Sequence, residues 1–204
     1  MFSLEEGKTA VKIARKVVEA HVQHKKIPKL DFPKSFDDNG GVFVTLNSYP
    51  EKELRGCIGF PEPVYPLKKA IVEAAQSAST EDPRFPAVTP PELDSIVVEV
   101  SLLTKPELVK VKDPKEYLSL IKIGRDGLIA ELGMHRGLLL PQVPIEWEWD
   151  VRTFLQHTCQ KAWLPPHSWE DLNTKIYSFT AQVFDETKPK GDIVPRPLTP
   201  EKKK

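Results

Sequence analysis

The chain has 204 residues, with 29 lysines and arginines balanced by 29 aspartates and glutamates, so no net field draws it toward nucleic acid or anionic lipid. No apolar run approaches the ~20 residues that span a bilayer, and Met1-Phe2-Ser3-Leu4-Glu5-Glu6 lacks the layout of a signal peptide. Two cysteines are too few for a disulfide framework, and a chain this long buries about 70% of its unfolded surface without one, so the expected setting is the reducing cytoplasm.

Ser3 and Glu6 are the two halves of a capping box, and Ala10, Ile13, Ala14, Val17 and His21 follow at helical spacing, which predicts a helix from Leu4 to His24. Prolines, Asp37-Asp38 and Gly40-Gly41 make an irregular loop of residues 25–40. Val42 to Asn47 alternates as a strand, turns at Tyr49-Pro50-Glu51-Lys52, and returns through Leu54 to Gly59 as a hairpin. Pro66 then opens a second helix with Leu67, Ala70, Ile71, Ala74, Ala75 and Ala78 on one face.

Thr89-Pro90-Pro91-Glu92 and Asp113-Pro114-Lys115-Glu116 each predict a capped short helix, with a β run from Ser95 to Thr104 between them. Asp126-Gly127 reads as a hairpin turn joining Leu120–Gly124 to Leu128–Leu132, and Leu138-Leu139-Leu140 as a buried strand. Asp150 caps a helix with Val151, Phe154, Leu155, Thr158, Cys159 and Ala162 at its apolar positions, and Tyr177 to Val183 alternates as a last strand. From Lys188 on, prolines and the Glu201–Lys204 charge run predict a poorly ordered tail, residues 188–204, after one domain spanning 1–187. Hairpin-joined strands with helices between them predict an α+β fold with a largely antiparallel sheet.

The strand Leu54-Arg55-Gly56-Cys57-Ile58-Gly59 carries the best candidate chemistry. Alternation puts Arg55 and Cys57 on one face, where a cation roughly 7 Å along a strand favours thiolate over thiol. Gly56 and Gly59 remove bulk, which lets another backbone or a ligand approach. The plainer reading makes Cys57 a small buried hydrophobe, Gly56 a bulge and Arg55 an ion-pair partner.

This hexapeptide resembles the hallmark of the AMME chromosomal region protein family, the AMMECR-type domain found from archaea to animals. Asp82-Pro83-Arg84-Phe85, Val98-Glu99-Val100-Ser101, Gly124-Arg125-Asp126-Gly127-Leu128, Gly137 to Val143 and Thr158-Cys159-Gln160-Lys161-Ala162 are similar to its other motifs, in its order. The resemblance covers about Glu5 to Glu186 and implies a domain of two lobes flanking a cleft beside the hexapeptide, with Gln142 among the binding residues. It implies no established activity and no cofactor; its association with Memo-type and radical-SAM proteins suggests a redox or small-molecule pathway and suggests those proteins as partners. Two departures stand out: Trp163 where the family pattern has glycine, and the bulky, basic Met134-His135-Arg136 before Gly137.

Asp82-Pro83-Arg84-Phe85-Pro86 is a stiff loop that either turns Asp82 or Arg84 to the cleft or is latched by its own ion pair and by burial of Phe85. Glu99 and Ser101 share one face of an apolar strand, where a carboxylate needs a partner such as Arg55 or Arg84 and is a candidate general base. Cys159 reads as core filling, and no Cys-x-x-Cys spacing supports a metal site. His21-x-x-His24 reads as solvated, Gly124-Arg125-Asp126-Gly127 as a turn rather than a phosphate loop, and Trp147 and Trp149 as one aromatic face of a strand or extended arm.

Two functions are consistent with these features. The first is an enzyme acting on a small molecule, with Cys57 as thiolate nucleophile, Arg55 holding its charge or an anionic substrate, and Glu99 as acid or base. The second is a non-catalytic module that binds a protein or peptide in the same cleft, with the hexapeptide as rigid architecture.

Overall fold

The computed structural model describes residues 1–197 and contains, in chain order, α1 (Leu4–Val22), β1 (Gly41–Ser48), β2 (Leu54–Phe60), α2 (Leu67–Thr80), β3 (Ile96–Leu103), β4 (Glu107–Leu108), α3 (Tyr117–Leu120), β5 (Asp126–Leu132), β6 (His135–Leu139), α4 (Val143–Glu146), α5 (Val151–Lys161), β7 (Lys175–Glu186) and β8 (Ile193–Arg196). Short 3-10 turns cover Lys34–Asp37, Pro90–Asp94, Pro114–Glu116 and Pro166–Glu170. The strand pairs are antiparallel, and the fold class is α+β.

The chain divides into two compact units, Met1–Leu103 with Gln182–Arg196, and a second that includes Thr104–Ala181. In the first unit β1 lies between β2 and β3, so the hairpin expected from the alternation of Val42–Asn47 and Leu54–Gly59 is present. Val42, Val44 and Leu46 of β1 and Val98, Val100 and Leu102 of β3 are fully buried in one core with α1 and α2. That core forms because the helices are amphipathic: α1 contributes Ala10, Ile13, Ala14 and Val17, and the alanine face of α2 lets its backbone come close to the strands. The capping box at Ser3 and Glu6 starts α1, with Ser3 N–H bound to Glu6 at 2.7 Å. A buried Arg15–Glu186 ion pair ties α1 to the end of β7, and Glu186 also accepts the Val98 N–H at 3.1 Å.

In the second unit β5 lies between β6 and β7, and β4 pairs with Tyr177 and Ser178 of β7. Phe154, Leu155, Cys159 and Ala162 from α5 and its end pack with Leu128, Ala130, Ile176 and Trp169. Asp150 caps α5 by accepting the Thr153 N–H at 2.7 Å.

Four expectations give way. Asp126-Gly127 is the start of β5, preceded by α3 and a turn; the buried Asp126 carboxylate accepts the Lys122 N–H at 2.8 Å and an Arg125 pair, and a Cβ on Gly127 would stand 2.3 Å from the Phe179 ring. The Asp-Gly pair therefore serves a local hydrogen-bond loop and a close aromatic contact, and the β5–β6 hairpin turns at Gly133, φ +61°. Trp147 and Trp149 lie after α4 rather than in a strand, and Trp149 stacks on His157 at 3.9 Å. His21 is half-buried and bound to Thr80 at 3.1 Å, while His24 lies past the helix end at φ +54°, so the two do not form one helical pair. Finally, Ile193–Arg196, placed by composition in the tail, forms strand β8 against Val183–Glu186; residues 198–204 of that tail lie outside the described residues.

Candidate functional site

The hairpin register sets the site. Thr45 stands opposite Cys57 on β2 and opposite Glu99 on β3, so Cys57, Thr45 and Glu99 form one row across three strands. Alternation puts this row on the sheet face away from α1 and α2, since the flanking Val44 and Leu46 point into the helical core. The Thr45 hydroxyl lies 3.3 Å from Cys57 Sγ and donates to it.

The two glycines of the hexapeptide have separate reasons to be glycine. A Cβ on Gly56 would stand 2.2 Å from the Ala78 carbonyl oxygen near the end of α2, so the strand and helix backbones touch there. A Cβ on Gly59 would stand 2.4 Å from the Phe43 ring and from the Val42 carbonyl oxygen. Both openings are filled by this chain's own atoms.

The loop after α2 latches onto the same strand. Buried Asp82 accepts the Cys57 N–H at 2.8 Å and the Arg84 guanidinium at 2.6 and 2.9 Å, while Arg84 Nη2 donates to the Cys57 carbonyl at 3.3 Å. The Arg84 hydrogen bonds, with the two backbone N–H groups, hold the Asp82 carboxyl well below the usual carboxylate range against the upward push of burial. Arg84 remains 54% exposed over the half-buried Phe85 ring. The loop is thus latched by its own ion pair, as one of the two readings expected, and that pair bonds the Cys57 backbone.

Arg55 does not serve Cys57 as expected. It donates to Glu92 at 2.8 Å and to the carbonyls of Pro86 and Ala87 at 2.8 and 3.3 Å, strapping the 86–92 segment to β2. An irregularity between Leu46 and Asn47 breaks the ladder beside it, so simple alternation does not describe this residue's surroundings. Burial works upward on Glu92, but its bonds to Arg55 and Thr89 outweigh this and bring its carboxyl to about 2.

Burial also pushes the Cys57 thiol above its ordinary value; the Thr45 hydrogen bond and Arg84 pull against this, while Glu99 and Asp82 add to it. The expected lowering by Arg55 is thus reversed: a half-buried sulfur next to carboxylates is held as a neutral thiol. Glu99 is only 5% exposed and accepts from Arg196 on β8 at 2.6 Å, while the guanidiniums of Arg55 and Arg84, the partners expected for it, pair with Glu92 and Asp82. Arg196 also lines a small cavity of about 80 Å³ with Asn47, Tyr49, Lys52, Asp185 and Thr187.

The first unit thus holds Arg55, Gly56, Cys57, Gly59, Asp82, Arg84, Phe85 and Glu99 together, whereas Gln142 and Cys159 belong to the second unit. Cys159 is fully buried, and burial raises its thiol to about 11. Among the described residues no group of three or more His, Cys, Asp or Glu is placed to hold a metal ion. Sequence reasoning missed Thr45, Glu92 and Arg196. Counting the register outward from the Tyr49–Lys52 turn would set Thr45 opposite Gly56; the irregularity between Leu46 and Asn47 moves it to Cys57, which is why the pair is not legible in the sequence.

Fold and site define an α+β protein with a thiol-bearing polar row on one sheet face, latched by an Asp-Pro-Arg-Phe loop. The chain belongs to the AMMECR1 family, whose model matches residues 11–184. It is 57% identical to protein MJ0810 of Methanocaldococcus jannaschii, over 97% of this chain and 98% of that protein, and 51% identical to protein TK0174 of Thermococcus kodakarensis, over 95% and 97%. The crystal structure of uncharacterized protein PH0010 from Pyrococcus horikoshii is similar to it with a TM-score of 0.83 and 49% identity, over 95% of this chain and 97% of that one. No helix among the described residues is long and apolar enough to cross a membrane.

Proposed function

We propose that the Cys57–Thr45–Glu99 face binds a small molecule carrying an anionic group, with Arg84 meeting the charge and the neutral Cys57 thiol meeting the adjacent polar part. The observation that carries this reading is the placement of one half-buried thiol beside a 54%-exposed guanidinium on the polar side of the sheet. Binding rather than resting nucleophilic catalysis is favoured because burial holds the thiol above its ordinary value and Arg55 is occupied elsewhere. The zero formal charge argues against a nucleic-acid partner, and two free cysteines argue for a cytoplasmic setting. Residues 1–187 act as one domain in this reading, since the family match spans parts of both units.

The test is a thermal-shift screen of small phosphates and carboxylates, with Cys57 alkylation measured alongside. The reading predicts that a stabilising compound also slows alkylation of Cys57, and that both effects are lost in Arg84→Gln. A panel that leaves both the melting point and the alkylation rate unchanged contradicts it.

A second reading, thiol chemistry on a bound substrate, draws on the Thr45 hydroxyl donating to Cys57 Sγ, because that bond favours the thiolate. Native Cys57 alkylating at neutral pH as a thiolate would put this enzyme reading first. A non-catalytic protein- or peptide-binding role is the remaining alternative, with Memo-type and radical-SAM proteins as the first partners to test.

A further inference from the structure

We infer that Arg196, carried on the terminal strand β8, is a positioning residue for the Cys57 site and acts on the thiol through Glu99. The inference rests on the reading of the Cys57 row as the working site. Three observations place Arg196 in that role. Thr45 links Cys57 and Glu99 in one cross-strand row. Glu99 is 5% exposed, so water screens its carboxylate poorly and a protein cation beside it weighs heavily. Arg196 Nη1 reaches it at 2.6 Å from a strand that pairs with Val183–Glu186.

The charged groups around Cys57 separate by role. Arg55, on its own strand, is spent on Glu92; Asp82 and Arg84, from the loop after α2, are paired with each other; Glu99 faces it from β3, two strands away at about 9–10 Å. Thr45 on β1 contributes a hydroxyl and no charge. Beyond Glu99 lies Arg196, and beside Arg196 the cavity residues Lys52 and Asp185. Arg196, 2.6 Å from Glu99, is a cation that offsets the field Glu99 exerts along the row. It is 45% exposed and carried on a four-residue strand. Removing it strengthens the Glu99 field at the sulfur and disfavours thiolate; removing Glu99 does the opposite.

The experiment follows the Cys57 ¹³Cβ shift against pH, which reports the thiol–thiolate midpoint whether or not reagents reach the sulfur. R196Q is expected to raise the midpoint by about half a pH unit, about threefold less thiolate at a given pH. R196K should restore most of the wild-type value, E99Q should lower the midpoint, and the R196Q/E99Q double variant should follow E99Q. The double variant also removes the buried charge, so it reports even if R196Q alone unfolds. Equal midpoints for R196Q and wild type overturn the inference, as does a double variant displaced from E99Q by as much as R196Q is from wild type. Wild-type Cys57 resisting alkylation until unfolding counts against the site reading alone, and the midpoints still decide the role of Arg196.

Discussion

Thr45 Oγ1 lies 3.3 Å from Cys57 Sγ, directly across the β1–β2 ladder, and its hydroxyl donates to the sulfur. A donor at sulfur stabilises thiolate more than thiol, so this bond works against the burial that raises the Cys57 thiol. Thr45→Val keeps the β-branched shape and removes the donor. The expected result is a Cys57 midpoint about half a pH unit higher, from loss of a weak sulfur hydrogen bond of under about 1 kcal/mol. An unchanged midpoint would mean the hydroxyl points elsewhere in solution.

Gly56 is expected to be intolerant of any side chain. Its Cβ would stand 2.2 Å from the Ala78 carbonyl oxygen, and backbone on both sides leaves no flexible group to yield. Gly56→Ala should therefore cost about 2 kcal/mol or more, at the upper part of the range for overpacking. Urea denaturation measures it; a loss under about 0.5 kcal/mol, the range of surface substitutions, would contradict the close contact.

Trp163 stands at φ +59° just past α5, where the Leu164 N–H bonds the Cys159 carbonyl and the Trp163 N–H bonds the Gln160 carbonyl. That is the helix-ending geometry glycine favours. The left-handed conformation costs a non-glycine residue about 1–2 kcal/mol, while glycine gives back about 0.4–1 kcal/mol through the unfolded state. Trp163 is 88% exposed, so little burial is lost. Trp163→Gly should thus stabilise the protein by about 0.5–1 kcal/mol in urea denaturation, and a destabilised variant would show that the indole makes contacts worth more than the strain.

The Glu92 contribution should be lost in acid. Its folded carboxyl lies at about 2, below its ordinary 4.5, so between these values the unfolded chain binds more protons and stability rises with pH. Its stabilising effect is complete above about pH 4.5 and fades as pH falls toward 2. At a third exposed, solvent screening limits it to about 1 kcal/mol at neutral pH. The stability gap between wild type and Glu92→Gln should shrink across that window; a gap that is constant with pH would contradict the Arg55 pairing.

Much of this architecture is legible from residue patterns alone. Capping residues Ser3 and Asp150 and the alternation around the Tyr49–Lys52 turn mark α1, α5 and the hairpin, because each signal is local and its physical cause lies within a few residues. Asp126-Gly127 misleads because the reason for its glycine is tertiary: the Phe179 ring that crowds Gly127 is remote in sequence and leaves no trace in the dipeptide. The Cys57 strand is visible as a site, but its electrostatics is not. Arg55 shares the thiol's strand and is taken by Glu92, whereas Arg84 acts on the thiol from a loop. Arg196 has no signal at all, since Pro195 and the lysines around it give the composition of a tail, and only pairing with β7 reveals a strand.

The most direct test of the Cys57 site is alkylation of the native protein across pH, read at both cysteines by peptide mass spectrometry. Cys57 is half-buried on the polar sheet face and Cys159 fully buried in the second core, its thiol raised to about 11. The predicted result is labelling of Cys57 in the folded protein, rising steeply only above the ordinary thiol value of about 8.5, with Cys159 labelled only on unfolding. Cys57 protected until the protein unfolds, or Cys159 labelled first, would contradict the assignment of the working face to the Cys57 row.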